Sequence, residues 1–140
     1  MLPCKRKSWY SIQYEGRKTM PLVRILVDIG KVHPESQTVA DLSKLVRNLI
    51  ASALDCDNPD GKLKPTDIEV EVGQFAPGLL PEQEHKAYTI GFIIEANDYP
   101  ERRQNLKERA QEIARGLEFL KPKHRAFVWV RLLPAEFVDV

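Results

Sequence analysis

The pattern of this sequence predicts two amphipathic helices, each between two short apolar strands, and this arrangement limits the folds open to the chain. In both helical segments the apolar residues recur every three or four positions, which places one apolar stripe along each helix. These positions are Val39, Leu42, Leu45, Val46, Leu49, Ile50, Ala53 and Leu54 in the first segment, and Leu106, Ala110, Ile113, Ala114, Leu117 and Leu120 in the second. A stripe of this width must be buried, so both helices are predicted to pack on one core.

Four segments rich in Val, Ile and aromatic residues flank the helices and predict strands at 22–29, 67–74, 87–95 and 126–133. The order along the chain is therefore β-α-β, followed by β-α-β. Because a helical crossover joins parallel strands, each half is expected to pair its own two strands in parallel. We predict an α/β (α+β) fold in which tandem β-α-β units form a four-stranded mixed sheet with two helices on one face.

Residues that favour helix ends lie near the ends of the two predicted helices. Thr38, three residues before an acidic residue, predicts the start of the first helix, because its hydroxyl can accept from a first-turn amide. Asp98 with Glu101 predicts the start of the second helix. Pro100 suits the first turn, where the amide that it lacks would have no helical partner. Pro122 predicts the end of this helix.

Side-chain alternation assigns the strand residues to two faces of the sheet. The face predicted to lie under the helices carries Val23, Ile25, Val27, Ile29, Ile68, Val70, Val72, Val128, Val130 and Leu132. The opposite face carries Arg24, Asp28, Glu69, Glu71, Thr89, Phe127, Trp129 and Arg131. Two large aromatic side chains beside charges of both signs favour a subunit interface there over a solvated face.

Charge is distributed unevenly, with a net +4 in residues 1–20 and −3 in the remaining 120 residues. A nucleic-acid-binding domain would carry its basic surface on the folded part, so this distribution argues against nucleic acid as the main partner. The three histidines have no metal-ligand spacing, which predicts no metal site. The chain has neither a run of about 18 apolar residues nor a secretory signal, which predicts a cytoplasmic protein without membrane contact.

Three short segments resemble the tautomerase superfamily, whose chains follow the same β-α-β-β-α-β order. The first strand begins MPLVRI at 20–25, in the Met-Pro arrangement of that superfamily. KAYTIGF at 86–92 and PERRQ at 100–104 are similar to the 5-carboxymethyl-2-hydroxymuconate delta-isomerase branch. The resemblance covers residues 21–133.

The resemblance implies a homo-oligomer, usually a trimer, that isomerises a small unsaturated carboxylic acid without a cofactor, as in the degradation of aromatic compounds. It implies that Pro21 is the general base. It also implies arginines that bind the substrate carboxylates, a role open to Arg24 and Arg131, with Tyr88 lining the pocket near Pro21. The residues themselves favour ion pairs of these arginines with Asp28, Glu69 or Glu71 over substrate binding, and half-buried packing is the simplest role of Tyr88.

Pro21 can serve as a base only if its nitrogen is a free amine, because an amide nitrogen has no useful basicity. Residues 1–20 are predicted to be a basic N-terminal extension before a single tautomerase-like domain at 21–140, and two interpretations of the extension stay open. Either the protein starts at Met20 and residues 1–19 result from a mis-set start, or the extension is a genuine arm in which residues 9–14 add an edge strand.

Three functions follow from these alternatives. The first is a proline-dependent isomerase, and the second is a non-catalytic oligomer of the same fold. The third is an interaction module whose basic arm binds an acidic protein or a nucleic-acid backbone. Binding through phosphate contacts would weaken steeply as the salt concentration rises.

Overall fold

A computed structural model describes residues 21–57, 61–75 and 88–134 of the chain. Within these ranges lie four strands, namely β1 (Leu22–Val27), β2 (Glu69–Gln74), β3 (Ile90–Asn97) and β4 (Ala126–Leu133). The helices are α1 (Gln37–Leu54), α2 (Pro100–Gln104) and α3 (Leu106–Gly116), with 3-10 turns at Pro65–Asp67 and Glu118–Leu120. Residues 1–20 and Ala87, on which some predictions rest, lie outside the described residues.

The four strands form one mixed sheet in the order β2-β1-β3-β4. β1 pairs with β2 in parallel and β3 pairs with β4 in parallel, while β1 and β3 run antiparallel and join the two halves. In this register Leu22 lies opposite Glu69 on one side and Glu95 on the other. The predicted fold of tandem β-α-β units on one mixed sheet is confirmed.

The core lies between the helices and one face of the sheet. Its centre is a layer of side chains from β1 and β3 that have no solvent-accessible surface: Val23, Ile25, Val27, Ile90, Phe92 and Ile94. Val46 and Ile50 of α1 and Ile113 of α3 pack on this layer and are equally buried. The predicted apolar stripes therefore face the sheet, except at Ala114, which is exposed. No helix in the described ranges is both long enough and apolar enough for a membrane span.

Two residues assigned to the helix-covered face are exposed instead. Ile29 is 52% exposed because β1 ends at Val27 and the chain turns, with the Gly30 amide donating to Asp28 Oδ1 at 3.1 Å. Val72 is 41% exposed and belongs to β2, which is an outer strand of the sheet. The prediction of burial was therefore wrong at both positions.

The predicted helix starts were partly wrong. The capping residue of α1 is Ser36, two residues before the predicted Thr38, and its hydroxyl accepts from the Val39 amide at 3.4 Å. At α2, Tyr99 is the capping residue and makes no side-chain bond to the helix amides. The Asp98 carboxylate accepts instead from Arg103 Nε at 2.9 Å. Pro100 is in the first turn, as predicted.

The second predicted helix is interrupted and shorter than its apolar pattern. Asn105 leaves helical geometry, with φ −133° and ψ 37°, and separates α2 from α3. α3 ends at Gly116, well before Pro122. A Cβ at Gly116 would overlap the Leu49 side chain, so the lack of a side chain there allows α3 to approach α1 closely. Leu117 and Leu120 still reach the core through the following 3-10 turn.

A buried arginine joins three segments at one end of the core. Arg102 is 2% exposed, and its guanidinium donates to the carbonyls of Leu54 (2.8 Å), Asn97 (3.2 Å) and Gly61 (3.3 Å). The Tyr99 ring lies 4.9 Å from the guanidinium carbon. Burial lowers the pKa of Arg102 from its ordinary value, because removal from water disfavours the charged form. The three carbonyl acceptors replace the water that the cation has lost.

We expect Arg102→Met to lower the free energy of unfolding by about 2–4 kcal/mol, because three carbonyls lose a charged donor. Urea denaturation measures this change. Arg103→Met is the matched control. Its side chain is 61% exposed and paired with Asp98, so we expect a loss below about 1 kcal/mol. Equal stability losses in the two variants would contradict the role given to Arg102.

Candidate functional site

The four residues predicted to form a site lie in three separate places. Arg24 and Arg131 are on the sheet face that the helices leave uncovered, called the open face below. This face presents the side chains that alternate with the core: Leu22, Arg24, Leu26, Glu69, Glu71, Ile93, Glu95, Phe127, Trp129 and Arg131. Pro21 alternates with Leu22 and so lies on the helix side. Tyr88 lies at the other end of the sheet from Pro21.

Pro21 immediately precedes β1 and is held by the sheet. Its carbonyl accepts from the Glu69 amide at 3.2 Å, and the residue is buried. The antiparallel pairing of β1 with β3 begins one residue later, with Leu22 opposite Glu95. The ring therefore has a defined position at the start of the sheet, beside the core.

Arg24 and Arg131 are brought together by Glu95, a residue that the sequence analysis did not select. Arg24 Nη1 lies 3.4 Å from one oxygen of Glu95, and Arg131 Nη1 lies 3.4 Å from the other. Arg24 Nε also pairs with Glu71 at 3.2 Å, as the alternative of ion pairing predicted. The result is a row of alternating charges, one from each strand, in the order Glu71, Arg24, Glu95 and Arg131.

Glu95 is the least exposed member of this row. Its side chain is 11% exposed, against 43% for Arg24 and 40% for Arg131. A carboxylate this far from water is stabilised by its two guanidinium partners. The guanidinium groups that could bind a substrate carboxylate are thus already paired with the carboxylate of Glu95. The sequence held one signal of this role, since Glu95 is the only charged residue among the apolar positions of β3.

Tyr88 belongs to an aromatic cluster on the sheet. Its ring meets Phe127 edge-to-face at 5.0 Å, and the Arg125 guanidinium lies 4.8 Å above it. Phe127 also contacts Phe75, at 6.1 Å between ring centroids. The Phe127 ring lies over Gly91, where a Cβ would overlap it.

Tyr88 and Pro21 do not share a pocket within one chain, contrary to the sequence prediction. Leu22, the residue after Pro21, is paired with Glu95 of β3, which is seven residues along the chain from Tyr88. At about 3.3 Å per residue this is roughly 23 Å along the sheet. The two residues therefore do not line one site within a single chain.

A small groove of about 180 Å³ lies between the end of α3 and β4, and none of the four predicted residues lines it. Its wall is mostly apolar and consists of Ala114, Leu117, Glu118, Leu120, Lys121, His124, Ala126 and Val128. In the described part of the chain, no three His, Cys, Asp or Glu side chains are grouped as a metal site.

The comparisons with known proteins agree with the fold. No family model and no curated protein matches the chain. The crystal structure of a 5-carboxymethyl-2-hydroxymuconate delta-isomerase is similar, with a TM-score of 0.53 and 13% identity over 92% of this chain and 90% of that one. A protein of unknown function from Vibrio cholerae O1 biovar eltor str. N16961 has a TM-score of 0.51 and 15% identity, over 90% and 88% of the chains. At such identities the likeness shows the fold alone, which is the mixed-sheet fold of this isomerase.

We expect Glu95→Gln to lower the free energy of unfolding by about 1–3 kcal/mol, because an amide cannot neutralise the two guanidinium groups beside it. Glu71→Gln is the control. The Glu71 side chain is 60% exposed and pairs with Arg24 alone, so we expect a change below about 1 kcal/mol. Urea denaturation of both variants compares the two carboxylates. A larger loss in Glu71→Gln would refute the central role of Glu95.

Proposed function

We propose that the protein is a tautomerase-type isomerase that moves a proton on an unsaturated keto or hydroxy acid, with Pro21 as general base when it is the first residue. The observation that carries this proposal is the position of Pro21, directly before β1 with its carbonyl bonded to β2. The likeness of the fold to a 5-carboxymethyl-2-hydroxymuconate delta-isomerase supports it.

The chemistry follows from the state of one nitrogen. A free α-amine has an ordinary pKa of about 8, and burial among apolar groups lowers the pKa of any amine. A pKa near neutral allows the amine to take a proton from one carbon of the substrate and to return it to another. Pro21 would then be held in a fixed direction by its ring and by the sheet. No metal or organic cofactor is needed for this proton transfer.

The proposed reaction also needs residues that bind the carboxylate groups of the substrate. Arg24 and Arg131 would serve this purpose only where the substrate displaces Glu95 from one of them, since Glu95 contacts both. Tyr88 would contribute only from a second copy, because it lies far from Pro21 in its own chain. The proposed site is therefore one that assembly of the protein completes.

The test compares the protein that begins at Pro21 with the full chain, using a 2-hydroxymuconate-type acid as the substrate. We expect isomerisation only when Pro21 is terminal, because a peptide bond removes the lone pair. Pro21→Ala in the shorter protein should lower the rate at least about 100-fold. Equal rates for the two proteins would contradict a proline base. The intact mass of the protein from its natural source shows which N-terminus exists.

In the same shorter protein, Arg24→Ala should mainly raise the KM for this acid, because it removes a carboxylate ligand and not the base. Glu71→Gln is again the control, since it leaves every arginine in place. An unchanged KM in Arg24→Ala would assign Arg24 to ion pairing alone.

The charge row also favours a second function, that of a non-catalytic oligomer of this fold. Arginines already paired with carboxylates suit an assembly surface, because opposite charges fix the register of a partner sheet. Trp129 is 43% exposed on the open face, with the Arg131 guanidinium 5.3 Å from its ring. Exposed tryptophan beside arginine is typical of the residues that dominate protein interfaces. We propose that copies of the chain, three by the resemblance, meet through this face.

We expect Trp129→Gln to weaken self-association at least about tenfold, because it removes the largest exposed apolar group of the open face. Sedimentation velocity over a concentration series measures this change. Phe119→Gln is the control, since Phe119 is 59% exposed but lies in the 3-10 turn after α3. Equal weakening by both substitutions, or a monomer at every concentration, would contradict assembly through the open face.

A further inference from the structure

The groove between the end of α3 and β4 has room for one small ring. Its volume is about 180 Å³, and an apolar cavity of about 150 Å³ is large enough to bind benzene. Leu117 and Leu120 on its helix side are buried, while Ala126 and Val128 on its strand side are only half-buried. The apolar surface of β4 that remains uncovered there would be stabilised by contact with a hydrocarbon group.

The groove is separate from the residues considered for catalysis. Val128 pairs with Phe92, which pairs in turn with Ile25 of β1. Pro21 comes four residues before Ile25, and β3 lies between β1 and β4. Val128 packs against the core on the helix side of the sheet, so the charge row of the open face does not contribute to the groove.

Basic side chains lie at one end of the groove. Lys121 and His124 line it, and Lys123 and Arg125 are their neighbours in the chain. Residues 119–134 contain no acidic residue. In the part of the chain that the structure describes, no ion pair involves either lysine or Arg125. The charge at this end therefore favours an anionic group.

A hydrogen bond fixes the orientation of the His124 ring. The Thr89 hydroxyl donates to the Arg125 carbonyl at 3.3 Å, so its oxygen accepts from His124 Nδ1 at 3.4 Å. Nδ1 therefore carries a proton, and Nε2 on the other edge of the ring is available to a ligand. Glu118 also lines the groove, but its side chain is exposed, and salt screens its repulsion of an anion.

We propose that this groove binds a small apolar monocarboxylic acid with a hydrocarbon part of about one six-membered ring. The hydrocarbon part lies against the leucines and β4, and the carboxylate lies at Lys121 and His124. A second carboxylate would lie unpaired on the apolar wall, at a cost in free energy, so the groove selects monoacids over diacids. The site goes beyond the reaction proposed for Pro21 and does not depend on it.

An NMR titration of the full chain with benzoate tests the site, because shifts of the backbone amides locate the bound acid. We expect the largest shifts among residues 114–128, which include the wall of the groove. Benzoate should bind at least about tenfold more tightly than benzyl alcohol, which has the same ring without the charge. Terephthalate, the corresponding diacid, should bind at least about tenfold more weakly than benzoate.

Three variants separate charge from shape. Lys121→Gln should reduce the advantage of benzoate over benzyl alcohol to less than about threefold, because it removes the charged donor. Lys123→Gln is the matched control, since Lys123 is exposed but does not line the groove, and we expect unchanged affinity. Ala114→Leu should weaken both compounds at least about tenfold, because it fills the groove from an exposed position without entering the core.

Four outcomes would overturn the proposal. The first is the absence of shifts among residues 114–128 on addition of benzoate. The second is equal affinity for benzoate and benzyl alcohol, and the third is an equal effect of Lys121→Gln and Lys123→Gln. The fourth is a change of the same amides with protein concentration when no acid is present, which would show that a second copy fills the groove.

Discussion

The antiparallel pairing of β1 with β3, covered on one face by the helices, sets the alignment of the whole sheet. Seven residues of these two strands, the six of the central layer and Ala96, have no exposed surface, and α1 and α3 pack on this layer. A slip of one residue in this pairing would turn those side chains toward the open face. Burial of this layer therefore determines the register, and the register determines which residues meet on the other side.

The charge row on the open face is a direct consequence of that register. Arg24 pairs with Glu71 across the parallel β1–β2 ladder and reaches Glu95 diagonally across the antiparallel one. Glu95 in turn lies directly opposite Arg131. A shift of either ladder would separate these paired opposite charges. The loss of stability would be largest for Glu95, because its carboxylate is poorly hydrated. The row thus supports the same alignment that the apolar layer sets.

A shared fold does not establish a shared reaction, because catalysis resides in particular atoms. The sheet and helices resemble those of a 5-carboxymethyl-2-hydroxymuconate delta-isomerase. Within one chain, however, the predicted base, the arginines and Tyr88 do not converge on one pocket. The proposed chemistry depends on the Pro21 nitrogen and on contributions from a second copy. The scaffold function depends only on the open face, which is why the two proposals have separate tests.

The order of the elements, most of the apolar helix stripes and the first-turn position of Pro100 were predictable from the sequence, because they follow from local periodicity and local backbone chemistry. The structure adds the break of the second helix at Asn105 and its end at Gly116, where α3 packs closely on Leu49, a residue of a distant segment. It also revealed Glu95 as the shared partner of two arginines and placed Tyr88 far from Pro21. Strand pairing brings together residues about 70 positions apart, and no local pattern records which residues will lie opposite each other.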